Sequence, residues 1–177
     1  MAYTVTFYAM DGKAFAAEMR ESFGDLLGRI EARASEHSAD AEAKRQVLAA
    51  AAAICRGDLP PECELEYFCA LCWLAEVTSE LVTVCSLQDF RHLSYLEEIG
   101  IWPWMLRRTP PFPVPRCQEE YPEVGFLSVE DIETLALPEF ARLPQSDDRE
   151  VLNARDDFRD VLESLVPDRL DLLGVLL

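Results

Sequence analysis

The chain opens on an alternating stretch. Tyr3-Thr4-Val5-Thr6-Phe7-Tyr8-Ala9-Met10 is β-branched and aromatic, with Val5 and Phe7 on one face and Thr4, Thr6 and Tyr8 on the other, which predicts a strand over 3–10. Asp11-Gly12 ends it, and Asp11 is placed to cap a following helix. Phe15, Met19, Phe23, Leu26, Leu27 and Ile30 then recur mostly at spacings of three and four, the signature of an amphipathic helix over 13–34. Gly24 and Gly28 either weaken that helix or admit a closely packed neighbour.

A polar break at 35–39 precedes a second helix, 40–56, whose end carries five consecutive alanines, Ala49 to Ala53, and stops at Arg56-Gly57. Pro60-Pro61 opens a third helix, about 61–80, with Glu62, Glu64 and Glu66 in its favoured anionic start and Leu65, Phe68, Cys69, Cys72 and Ala75 as a buried stripe. Leu81–Cys85 reads as a strand or a helix end. A helix over 87–99 follows from Phe90, Leu93, Leu96 and Ile99. Five prolines between 103 and 115 exclude a regular helix and predict an extended, partly polyproline segment over 101–123, too aromatic for a free linker and so packed on the body. Val124–Leu127 reads as a short strand and Ser128 as a helix start. Ser146-Asp147-Asp148 begins a last helix, 147–166, stopped by Pro167. Leu170–Leu177 is apolar except for Asp171 and Gly174 and reads as a terminal strand paired with 3–10. The expected fold is therefore a single α+β domain over 1–177, mostly helical with five to six helices, and a small sheet built from the two ends of the chain.

Charge narrows the function classes. Thirty-three acidic residues against 16 basic give −17, with a pI near 4.4, the opposite of a nucleic-acid footprint. The best apolar runs, Val47–Cys55 and Tyr67–Ala75, are about half the ~20 residues a membrane span needs. No basic and apolar leader is visible, so a cytoplasmic protein with reduced thiols is expected. Residues 57–100 are the most one-sided stretch, with nine acids and only Arg91 against them.

Little specific chemistry is written in the motifs. Cys69-Ala-Leu-Cys72 sits mid-helix on an apolar stripe, which favours core thiols over a zinc site completed by Cys63 or Cys85, and over a redox pair, which would open a helix. His37 and His92 lack a nucleophile elbow around them. Glu97-Glu98, Glu119-Glu120, Asp147-Asp148 and Asp156-Asp157 read as solvated faces. No glycine-rich phosphate cradle exists. No metal, cofactor or catalytic residue is expected, and an enzyme is the less favoured class. Trp102, Trp104, Arg107 and Arg108 combine residue types common at binding hot spots, although the favoured reading has both tryptophans sealing the core beneath the proline segment.

Tyr8-Ala9-Met10-Asp11, then Phe112-Pro113-Val114-Pro115, then Tyr121-Pro122-Glu123-Val124-Gly125-Phe126-Leu127 form a pattern that resembles a bacterial family of small acidic proteins of unknown function. The resemblance implies a shared fold over most of the chain and no catalytic residue. The leading expectation is a protein-binding module for a basic partner, of the size and charge of an inhibitor or immunity protein, using Glu62, Glu64 and Glu66. The alternatives are a small-ligand-binding protein or enzyme with a pocket near 101–123, and a structural subunit of a larger assembly.

Overall fold

The structure, a computed structural model, describes residues 5–37, 40–78, 83–87, 101–117, 122–143 and 147–177; of residues 36, 37, 83–87, 101, 150 and 154 only the backbone is described. The helix expected over 87–99, with His92, and the pair Glu119-Glu120 lie outside the described residues.

The fold is α+β. Strands β1 (Val5–Met10), β2 (Thr83–Leu87), β3 (Glu123–Leu127) and β4 (Asp171–Leu176) form one antiparallel sheet in the order β2-β1-β4-β3. The two ends of the chain pair at its centre, from Val5 opposite Leu176 to Met10 opposite Asp171. Both central strands are buried on both faces, because apolar residues occupy both parities. One face, with Tyr8, Met10, Phe126, Leu173 and Val175, packs on helices α1 (Gly12–Glu21), α2 (Phe23–His37), α3 (Ala41–Arg56) and α4 (Leu65–Val77). The other, with Val5, Phe7, Ala9, Leu127, Leu172 and Leu176, packs on α5 (Ile101–Leu106), on the helical run formed by α6 (Val129–Asp131), a π-helical turn (Ile132–Ala136) and α7 (Leu137–Phe140), and on α8 (Arg149–Leu165).

Five expectations are corrected. The single helix over 13–34 is two, α1 and α2, broken at Ser22, whose φ of −116° leaves the helical region. Gly24 and Gly28 have no described atom within 4 Å of where a Cβ would sit, so neither serves close packing among the described residues. The helix expected from Pro61 begins at Leu65; Glu62 lies before it and Glu64 sits at its cap position without a side-chain bond. Leu65 is 54% exposed rather than part of the buried stripe. The 101–123 segment is not extended throughout, because Ile101–Leu106 is helical. Pro103 falls in the first turn, where no intrahelical N–H is required of it.

The second face is shaped by two glycines. Gly174 and Gly125 are cross-strand partners, and Phe7 lies on the far side of Gly174. Trp102, only 2% exposed, lies over them together with Met105. A Cβ on Gly125 would meet Met105 Cβ at 2.7 Å, and one on Gly174 would meet Trp102 at 2.9 Å and Phe7 at 3.0 Å. The Trp102 indole N–H donates to Glu123 Oε2 at 2.6 Å, so its buried polar atom is satisfied. Gly125→Ala is expected to cost roughly 1–3 kcal/mol of stability by overpacking. Urea denaturation followed by circular dichroism checks this; Gly24→Ala, in open space on α2, is the control and is expected to be neutral or slightly stabilising.

Candidate functional site

Residues 106–117 run across the surface as a strap fixed at several points. Phe112 is buried between Phe15 and Phe126, at ring separations of 4.6 and 5.9 Å, each edge-to-face. Pro110 and Pro115 are buried beside it. At the start of the strap, Arg108 pairs with Asp131 at 3.0 Å; Asp131 also accepts from the Ser128 hydroxyl, which caps α6. At its end, the Arg116 carbonyl accepts the Cys63 N–H at 2.8 Å, which ties the strap to the Leu59–Glu64 loop.

Three clefts open along this strap. The first, about 400 Å³, lies between Arg107–Pro110, Val114–Cys117 and Pro122–Val124. The second, about 510 Å³, is lined by Leu59, Pro60, Pro61, Phe112, Pro113 and Val114, with Thr109 and Arg116 at its polar margin. The third, about 420 Å³, holds Asp11, Lys13, Thr109, Ser128, Arg169 and Asp171.

Asp171 organises the third cleft. Its Oδ2 accepts the Gly12 N–H at 3.0 Å and its Oδ1 the Val129 N–H at 2.8 Å, so one carboxylate satisfies the first turn of α1 and that of the helical run after β3. Burial holds its carboxyl above the ordinary value, against the lowering effect of those two N–H donors. Gly12 is required here, since a Cβ would lie 2.7 Å from Asp171 Oδ2. Arg169, two residues earlier, takes the left-handed conformation (φ 56°) and pairs with Glu133 at 2.7 Å. In the sequence Asp171 shows only as an acid in an apolar terminal run, and that mismatch is the available signal.

The residues expected to form a site are distributed as follows. Glu62 and Glu64 are exposed and Glu66 half-buried, and none forms an ion pair among the described residues. They lie on or beside the loop that Cys63 anchors. Trp102 is in the core under the sheet and offers no face to a partner; Trp104 is half-buried against Phe140, ring centroids 6.5 Å apart. Arg107 is exposed in the first cleft, whereas Arg108 is engaged by Asp131. Asp11 caps α1 by accepting from Lys13 and Ala14 N–H at 2.9 Å.

Cys72 is buried and Cys69 half-buried. Burial pushes the Cys72 thiol up to about 12 and that of Cys55 to about 11. Cys69 is also raised, by burial and then by the nearby Glu66 carboxylate. Among the described residues no three His, Cys, Asp or Glu side chains are placed to share an ion, and no helix is long and apolar enough to cross a membrane. Cys72 and Cys69 share α4 with Glu76, which Arg33 clamps at 2.6 and 3.0 Å and which lies 3.5 Å from the buried Tyr8 hydroxyl. Burial, with Cys72 and Glu76 adding to it, raises the Tyr8 phenol far above its ordinary range.

Asp171→Ala should destabilise by roughly 1–3 kcal/mol, since it strips the partner from two backbone donors; chemical denaturation measures it, and a loss below a few tenths would show that water replaces the carboxylate without cost. Thiol labelling at pH 8 should leave Cys55 and Cys72 unmodified until unfolding, while half-buried Cys117 reacts in the native protein. The same burial sets an alkaline limb. The unfolded chain releases the Cys72 proton near 9 and the Tyr8 proton near 10, the native chain retains both, and stability therefore falls as pH rises above 9. The slope is about 1.4 kcal/mol per pH unit for each proton, and Tyr8→Phe should flatten it.

Comparison with known proteins adds a family and no activity. No curated protein and no solved structure matches the chain. Of the segments that carried the resemblance, Tyr8–Asp11 and Tyr121–Leu127 reach the third cleft, through Asp11 and Phe126. A family model described as a domain of unknown function, DUF7691, matches residues 1–176, and the chain belongs to that family.

Proposed function

We propose that this protein is an acidic binding module for a basic protein partner, with the Leu59–Glu64 loop, the start of α4 and the apolar cleft beside them as the contact surface. The observation that carries this reading is the row of Glu62 and Glu64 on a loop pinned by Cys63 and Glu66 in the first turn of α4, none of which makes an ion pair among the described residues, with the exposed Leu65 between them. Carboxylates held in place without an ion-pair partner among the described residues attract cations and speed encounter, while an adjoining apolar cleft offers an anchor point. Leu59, Pro60, Pro61, Phe112, Pro113 and Val114 supply that cleft. The partner segment it fits carries lysines or arginines next to an apolar side chain. An inhibitor or immunity-type role against a basic, nucleic-acid-processing protein matches the size and the −17 charge. The free cysteines suit a reducing, cytoplasmic setting.

The test begins with capture from native lysate at low and high salt, followed by association kinetics with the purified partner. Glu62→Gln, Glu64→Gln and Glu66→Gln together are expected to slow association several-fold and flatten its salt dependence, with little loss of folding stability. Leu65→Ala should mainly speed dissociation. Association that is unchanged from low to high salt sinks the electrostatic reading.

A further inference from the structure

We infer that the first cleft is a binding site for a small, multiply charged oxyanion, such as a phosphoryl or dicarboxylate compound, held between Arg107 and Arg116. This site is independent of the acidic loop and takes a ligand of opposite sign.

Acids outnumber bases two to one in this chain, and most of its described arginines lie against one of them. Arg29 pairs with Glu18, Arg33 with Glu76, Arg45 with Glu42, Arg142 with Glu139, Arg159 with Asp156 and Arg169 with Glu133. Arg107 and Arg116 make no ion pair among the described residues, yet both line the same cleft of about 400 Å³ from different stretches of the strap. Arg108 adds a third guanidinium to its lining, held by Asp131 at 3.0 Å. One carboxylate, Glu123, also lines the cleft; it accepts the Trp102 indole N–H at 2.6 Å and keeps its charge, so the lining sets three guanidiniums against one carboxylate. The cleft thus concentrates positive charge in a strongly acidic protein.

Its walls are also stiff. Pro110, Pro115 and Pro122 line it, and the strap is tied down by Phe112 in the core and by the Cys63 to Arg116 backbone bond. Prolines offer no N–H, which thins the backbone donors along the strap and leaves the guanidiniums and the Thr109 hydroxyl as its main side-chain donors. Planar guanidiniums match carboxylate and phosphoryl oxygens in pairs of hydrogen bonds, which is the recognition that such a donor set provides. A volume of this size accepts a small molecule rather than a folded partner.

The experiment is calorimetric titration of the full chain with pyrophosphate and, separately, with citrate, at constant ionic strength set by sodium chloride. Saturable uptake of one equivalent by either probe is expected, and the stronger of the two tells a phosphoryl from a carboxylate ligand. Arg107→Gln and Arg116→Gln should each weaken it at least tenfold. Both side chains are exposed, and the Arg116 backbone bond survives the change, so circular dichroism should confirm an intact fold. Arg149→Gln, an exposed arginine outside the cleft, should leave the affinity unchanged. Absence of saturation with both probes overturns the site. That is the outcome if Glu119 and Glu120, which the chain places between Cys117 and Pro122, already neutralise the arginines. An equal loss in Arg149→Gln overturns it too, since the effect would then be net charge alone.

Discussion

The first and last strands of the chain lie side by side at the centre of the sheet, and both are buried on both faces. Such a pair cannot present a wet side. Every helix must go to one of two layers, and the segments between them must cross from one layer to the other around the sheet edges. Two small features make that double packing possible. Gly174 and Gly125 remove side chains where Trp102 and Met105 need to reach the sheet. Asp171, where β4 begins, puts one carboxylate under the first N–H groups of two helical segments that cover opposite faces. Without it two backbone donors would be orphaned, which is the physical reason for an acid at the start of an otherwise apolar strand.

The strap over residues 106–117 follows from the same frame. It leaves α5 on one layer, buries Phe112 against α1 and β3 on the other, and meets the Leu59–Glu64 loop through Cys63. A strap that is anchored at points and bridged by prolines does not lie flat, and three clefts remain along it. Their chemistry differs because each borrows its second wall from a different neighbour: arginines and the start of β3, an apolar loop, or the Asp171 junction.

Much of the architecture was legible in the sequence. The alternation at 3–10, the apolar end of the chain, the alanine run closed by Gly57 and the Ser128 start all correspond to observed elements. What was illegible depended on tertiary context. Nothing local distinguishes one helix over 13–34 from two meeting at Ser22. Pro60-Pro61 reads as a helix start, but the loop is instead held by a bond from Cys63 to a residue 53 positions away, Arg116. Proline spacing excluded a helix over 101–123, yet Pro103 in a first turn breaks no rule. Asp171 and Gly174 stood out only as interruptions in an apolar run, and both turned out to be contact points between layers. The candidate site was legible in part. Glu62, Glu64 and Arg107 are exposed as expected, while the hot-spot composition of Trp102 served the core.

A binding surface built on loops normally pays in ordering entropy when its partner arrives. Here that cost is reduced in advance. Prolines fix φ along the strap, Phe112 is already seated in the core, and the Cys63 bond joins the strap to the acidic loop as one unit. Among the described residues, Glu62 and Glu64 on the loop and Arg107 and Arg116 in the first cleft make no ion pair on that unit. A surface so arranged keeps its geometry, and the proposed recognition role would draw on that preorganisation in an otherwise closed sandwich of helices around a sheet.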